Sequence, residues 1–326
     1  MNKSIKLIVN YVLGPLLFVV LAYTLYKQIV NQPDLNLRWA QIKMSWQNSL
    51  FWIVVVLMFL NWGIEALKLK YLLSHLEKLS FWKSLQSVFA GSSITMLTPN
   101  RTGEFGGRIL FVSEKNRIKA ISANIMGSIS QLVVTIFLGT LSLFYFLFVL
   151  KQQTIALPWF FNTTFFYAGL LITFFLLLFY FKIHYFIVII NRIPFLRRFI
   201  KHIDVVDSFT SKELLGVISL SLIRYSVFIF QYLLMLKVMQ VNIDLKLALL
   251  LLMVFYFIMA LAPTIGFTEL PIRATASVLV LGIYSNNTFG IQVAAFAIWI
   301  INLVIPAIIG GLFISTIKIV KEHEHN

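Results

Sequence analysis

The chain has 326 residues, of which 60% are hydrophobic and only 12% charged, with a mean hydropathy of +0.89; these values exclude an ordinary soluble globular domain and leave a polytopic membrane protein. The lack of cysteine excludes disulfides, thiolate metal sites and thiol catalysis. A formal net charge of +15 would suit nucleic acid, but in a membrane protein Lys and Arg are read through their distribution among loops, and no nucleic-acid partner is expected.

A spanning helix needs ~20 mostly apolar residues, and six segments meet that requirement. The first, near 7–30, is too long for a signal-peptide core and lacks a small-residue cleavage site, so it reads as a retained helix. The others fall near 49–72, 120–150, 163–182, 213–237 and 288–317. Two intervening regions differ. Residues 80–98 carry Ser80, Lys83, Ser87, Ser92 and Thr95 among other polar side chains, too many for a helix facing lipid, and 104–114 is too short to cross. Such backbone survives at membrane depth only when protein or a wet cavity surrounds it, which predicts a re-entrant broken-helix hairpin. The corresponding region of the second half is more apolar, and 247–262 also fits a complete span; the alternative architecture is therefore eight spanning helices.

Both regions carry the same motif. The first copy reads Thr98-Pro99-Asn100-Arg101-Thr102-Gly103-Glu104-Phe105-Gly106-Gly107-Arg108, and the second reads Ala262-Pro263-Thr264-Ile265-Gly266-Phe267-Thr268-Glu269-Leu270-Pro271-Ile272-Arg273. Each places a glutamate four residues before an arginine, just after a proline and a glycine. The chain therefore reads as a duplication, residues 1–162 forming a first membrane repeat and 163–326 a second, each with three spans and one hairpin. Three is odd, so the second repeat would thread the membrane upside down relative to the first, as in transporters built from inverted repeats with broken helices.

The basic residues orient this topology. If each hairpin enters and leaves on one side, the N-terminal tail, 66–119, 182–212 and the C-terminal tail share a side that holds 19 of the 27 Lys and Arg, against seven opposite and Arg224 within a span. The excess places both termini in the cytoplasm of a multi-pass protein of the cell (cytoplasmic or inner) membrane.

Pro99 removes a backbone donor and Gly103 relaxes the backbone, predicting a helix break there; Pro263 and Gly266 do the same in the second copy. A helix restarting near Gly103 presents unpaired N–H groups to an anion. Arg101 and Arg108 add guanidinium forks suited to phosphate. Glu104 and Arg108 share a helix face and pair when the site is empty. The candidate substrate-binding residues are Arg101, Glu104, Arg108, Glu269 and Arg273. A local salt bridge that only neutralises two costly charges is the competing reading of either pair, and two copies at corresponding breaks favour function. Glu65, near the end of the second span, and Arg224 are secondary candidates that could pair with each other. Asn61, Asn124, Gln131, Gln231 and Asn302 read as interhelical contacts. His75, His184, His202, His323 and His325 have no metal spacing, so neither a metal nor another cofactor is expected, and no catalytic residue is assigned.

The Pro-x-Arg-x-Gly-Glu-x-x-x-Arg string at 99–108 and the Pro-x-x-Gly-x-x-Glu-x-x-x-Arg string at 263–273 resemble the paired signatures of the lysylphosphatidylglycerol synthase transmembrane-region family. The resemblance covers nearly the whole chain, which looks like the flippase half of the multiple peptide resistance factor and like stand-alone flippase-like membrane proteins. It implies translocation of lipid between leaflets. The second copy departs from the family pattern in carrying Thr264-Ile265 where a glycine pair is usual and in placing Pro271 between Glu269 and Arg273. The chain ends at 326 without the soluble aminoacyltransferase domain of fused members, so it is not expected to synthesise an aminoacylated lipid.

The leading expectation is a lipid flippase or transporter for a phosphate-bearing lipid: a phospholipid, an aminoacylated phospholipid or a polyprenyl-phosphate-linked lipid. The alternatives are an integral-membrane lipid-modifying enzyme, weakened by the sparse catalytic inventory, and a non-transporting partner of a membrane glycosyltransferase or synthase.

Overall fold

The computed structural model describes residues 40, 43–95, 98, 102–150, 161–191, 204–262 and 269–323, and every regular element among them is helical. The predicted first span near 7–30 and the motif residues Pro99, Arg101, Pro263 and Gly266 lie outside the described residues.

The bundle is built from α1 (Ser49–Leu72), α2 (Phe81–Thr95), α3 (Gly103–Arg108), α4 (Arg117–Phe144), α5 (Thr163–Phe181), α6 (Ser211–Val238), α7 (Leu245–Leu261), α8 (Glu269–Leu281), α9 (Thr288–Trp299) and α10 (Ile305–His323). π-helical turns continue α4 over Tyr145–Leu150 and join α9 to α10 over Ile300–Val304. Among the described residues five segments are long and apolar enough to cross a membrane: Ser49–Leu72, Glu114–Leu150, Thr163–Phe181, Ser211–Val238 and Thr288–Ser315. They follow the spans expected from hydropathy to within a few residues.

Polar caps explain where the helices start. Asn48 accepts from Leu50 N–H at 3.0 Å, Asn162 from Phe165 N–H at 3.0 Å and Asn287 from Gly290 N–H at 2.9 Å. Thr210 and Glu213 form a reciprocal capping box, so α6 begins at Ser211, ahead of the apolar run that marks it in the sequence. At its other end Gln240 takes a left-handed φ of 52°, and Val241 N–H closes on Leu236 O at 2.9 Å, a C-terminal stop made without glycine.

The motif segments are shorter. α2, with 15 residues, rises roughly 22 Å and α3, with six, roughly 9 Å, against ~30 Å of hydrocarbon core. α7 has 17 residues and α8 has 13. α2 packs against α1, α3 and α10, while α7 packs against α4 and α8, and α1 lies along α6. Close approach depends on two glycines: a Cβ on Gly107 would run into the Ala90 carbonyl, and one on Gly310 into the Phe89 carbonyl. α2 is thus gripped backbone to backbone between α3 and α10.

Met58, Leu69, Tyr232, Phe255 and Phe257 are buried in the core. Val56, Phe59, Leu171, Phe174 and Phe175 are exposed, and in a membrane such side chains meet acyl chains instead of water.

Candidate functional site

Glu65 is almost completely buried on α1. Lys68, one turn further along the same face, places Nζ 2.8 Å from Glu65 Oε2. Arg108, the last residue of α3, places Nη2 2.7 Å from Glu65 Oε1, bonds Glu104 through the same nitrogen, and donates from Nη1 to Asn124 Oδ1 of α4 at 3.2 Å. Arg224, midway along α6, places Nη1 3.2 Å from Glu65 Oε2. One carboxylate thus faces three cations drawn from three helices.

Arg224 is further fixed by neutral groups. Its Nε donates to Asn61 Oδ1 at 3.0 Å and its Nη1 to Gln131 Oε1 at 3.5 Å. Its guanidinium also lies 5.6 Å from the Trp62 ring centroid and 5.1 Å from that of Phe228, within the range of cation–π attraction. Lys68 Nζ donates to Gly127 O at 3.3 Å.

The second motif repeats the local pairing. Arg273 Nη2 donates to Glu269 Oε1 at 3.0 Å, with the guanidinium 6.0 Å from the Phe255 ring. The Glu four residues before Arg does the same thing in both copies because that spacing stacks the two side chains on one helix face.

Both motifs reach one cavity of ≈ 570 Å³. Glu65, Lys68, Glu104 and Arg224 line it together with Glu269 and Arg273, and Arg108 stands behind Glu65 and Glu104, bonded to both. Among the described residues three carboxylates and four cations meet there, a formal excess of one positive charge. The wall also holds Trp62, Tyr225, Tyr256 and Trp299, and Asn302, which sits in the π-helical turn before α10; π-turns inside helices recur at functional sites.

Four of the sequence candidates, Glu65, Glu104, Arg108 and Arg224, therefore form one network, and Glu269 and Arg273 share its cavity. Gly103 does open a new helix, but its N–H is already donated to Thr98 Oγ1 at 2.7 Å. With only six residues α3 has little dipole to offer, so side chains, not the helix start, supply the positive charge. Lys68 was missed by the sequence reading, which placed it among loop residues. The available signal was its position three residues after Glu65 on an apolar span. Asn61, Asn124 and Gln131 do bridge helices, but by holding guanidinium groups; Gln231, donating to Val54 O at 2.9 Å, is an interhelical contact of the expected kind. Lys68 and Arg108 also lie inside the bundle and Arg273 at its cavity, so these three leave the loop count without reversing its asymmetry.

The fold and site define an all-helical, multi-pass membrane protein with a charged cavity lined by its helices. The chain belongs to the family described as Lysylphosphatidylglycerol synthase TM region, whose model matches residues 11–310. That span takes in both motifs. No curated protein and no solved structure matches the chain.

Proposed function

We propose that the protein is a lipid flippase or transporter that moves a phosphate-bearing lipid between leaflets. The observation that carries this reading is the meeting of the Glu104–Arg108 and Glu269–Arg273 pairs, from opposite halves of the sequence, at one cavity with an excess of positive charge. Ionisable side chains at membrane depth are costly and mark substrate pathways. A volume of ≈ 570 Å³ suits a headgroup, within the ~300–1,000 Å³ of ordinary ligand pockets. The acyl chains need no polar contact and stay in lipid.

In this reading residues 1–162 and 163–326 are inverted repeats. The reciprocal packing supports it, since the first hairpin's α2 lies on α10 of the second half and the second hairpin's α7 lies on α4 of the first. The hairpins then open the cavity alternately to the cytoplasm and to the exterior, both termini being cytoplasmic.

The test is movement of headgroup-labelled phosphatidylglycerol across liposomes containing the purified protein. Glu104→Gln, Arg108→Ala, Glu269→Gln and Arg273→Ala are each expected to slow crossing at least tenfold, since each removes a charge-assisted hydrogen bond worth ~1.5–3 kcal/mol. Crossing at the parent rate with all four changed would leave only structural salt bridges and overturn the reading.

A further inference from the structure

Besides its charges, the cavity carries neutral hydrogen-bonding groups. Some hydroxyls in its wall are already used: Thr95 Oγ1 donates to Gly91 O at 2.7 Å, Ser128 Oγ to Asn124 O at 3.3 Å and Thr135 Oγ1 to Gln131 O at 2.8 Å. Each bonds the carbonyl one turn earlier, as hydroxyls inside helices commonly do. Other polar atoms on lining residues behave differently. Trp62 Nε1, Ser92 Oγ, Tyr225 OH, Trp299 Nε1 and Asn302 Oδ1 are buried and have no hydrogen-bond partner among the described residues. A buried indole N–H or phenol hydroxyl ordinarily finds a partner, and a buried polar atom without one is costly. These atoms come from α1, α2, α6 and the turn joining α9 to α10, and from both halves of the sequence. What they share is the cavity.

Their chemistry is selective. An indole N–H only donates. Asn302 Oδ1 only accepts, and its Nδ2 is given to Ile298 O at 3.2 Å. A phosphate alone offers acceptors and leaves Asn302 unmet, while an ammonium alone offers donors and leaves Trp62 and Trp299 unmet. A hydroxyl both donates and accepts, so a group carrying several hydroxyls completes the whole set without bringing charge to neutral atoms. The aromatic rings of Trp62, Tyr225 and Trp299 add apolar faces, negative at their centres, that suit the C–H groups of a saturated ring.

We propose that this neutral part of the cavity wall binds a polyhydroxylated headgroup, a sugar or cyclitol, whose hydroxyls bond Ser92, Tyr225, Asn302 and the two indoles. This rests on the lipid-transport reading above and names the headgroup class, the charged side chains being left to the phosphate. The headgroup settles against the wall in which these atoms lie. Because Trp62 and Ser92 belong to the first half of the sequence and Tyr225, Trp299 and Asn302 to the second, it bridges the two halves.

The experiment measures equilibrium binding to the full-length protein in detergent. The probes are dihexanoyl phosphatidylinositol, dihexanoyl phosphatidylethanolamine, glucosyl dihexanoylglycerol and inositol 1-phosphate. The parent is expected to bind the inositol lipid at least about tenfold more tightly than the ethanolamine lipid, since a site built for hydroxyls discriminates against a ligand that lacks them. The double variant Ser92→Ala/Tyr225→Phe removes two oxygens that bond nothing among the described residues. It is expected to cut that preference at least about threefold and to leave the ligand-free thermal midpoint at or above the parent's. Equal parent affinity for the two phospholipids overturns the inference, as does the full preference in the double variant, a lower ligand-free midpoint for that variant, or no binding of any probe. Inositol 1-phosphate bound as tightly as the inositol lipid, and weakened in the double variant, upholds the polyol site and overturns the lipid-transport reading. Glucosyl dihexanoylglycerol bound as tightly as the inositol lipid upholds the site and overturns the need for phosphate.

Discussion

Glu65 Oε1 and Arg108 Nη2 are 2.7 Å apart, across 43 residues of sequence, and that contact ties the first motif to a carboxylate that Lys68, Arg108 and Arg224 share. Removing Glu65 leaves buried cations uncompensated. Glu65→Leu is expected to cost about 3–5 kcal/mol, read as a large fall in thermal midpoint. Glu104→Gln should cost much less, because the Glu104 side chain is 25% exposed and Arg108 keeps Glu65. Equal midpoints for parent and Glu65→Leu would mean the cluster contributes nothing to the fold.

Two adjacent glycines should behave oppositely. A Cβ on Gly107 would meet the Ala90 carbonyl, whereas one on Gly106 meets nothing within 4 Å. Gly107→Ala is expected to push α3 off α2 at a cost of ~1–3 kcal/mol and to impair transport. Gly106→Ala should be neutral or stabilising by up to ~1 kcal/mol, since alanine favours helix. Similar melting curves for the two variants would contradict the packing described.

Glu77, outside the spans, predicts an acid limb. Partial burial pushes its carboxyl up, but hydrogen bonds from Ser113 and Asn116 outweigh that and hold it below the usual carboxylate range. A depressed carboxylate contributes stability above its unfolded value of about 4.3, and the contribution is lost as pH falls through the folded value. Thermal midpoints of the parent should therefore drop below about pH 4.3 more steeply than those of Glu77→Gln. Parallel curves would show that this junction between the α1–α2 loop and the start of α4 carries no pH dependence.

Inversion of the repeats can be read directly, because the chain has no cysteine. Lys115 and Asn286 are exposed at the ends of the two hairpin regions. Lys115→Cys and Asn286→Cys, made singly, should react with an impermeant thiol reagent from opposite sides of the membrane. Reaction from the same side would favour parallel repeats.

The sequence by itself determined the class of protein, five of its long spans, the two helix breaks and the Glu104–Arg108 and Glu269–Arg273 pairs. All of these follow from short-range physics: a span is a contiguous apolar run, and a four-residue spacing stacks two side chains on one helix face. What only the tertiary structure decided is which charges meet. The Glu65–Arg224 pairing offered by the sequence is present, but Glu65 shows no local sign of also receiving Arg108 from α3. Lys68 looked like a loop cation until α1 was seen to carry it inward, and Asn61, Asn124 and Gln131 were recognisable as polar residues at helix contacts but not as supports for guanidinium groups. The convergence of both motifs on one cavity depends on how helices pack, and helix packing leaves no fixed spacing in the chain because the partners come from any distance along it.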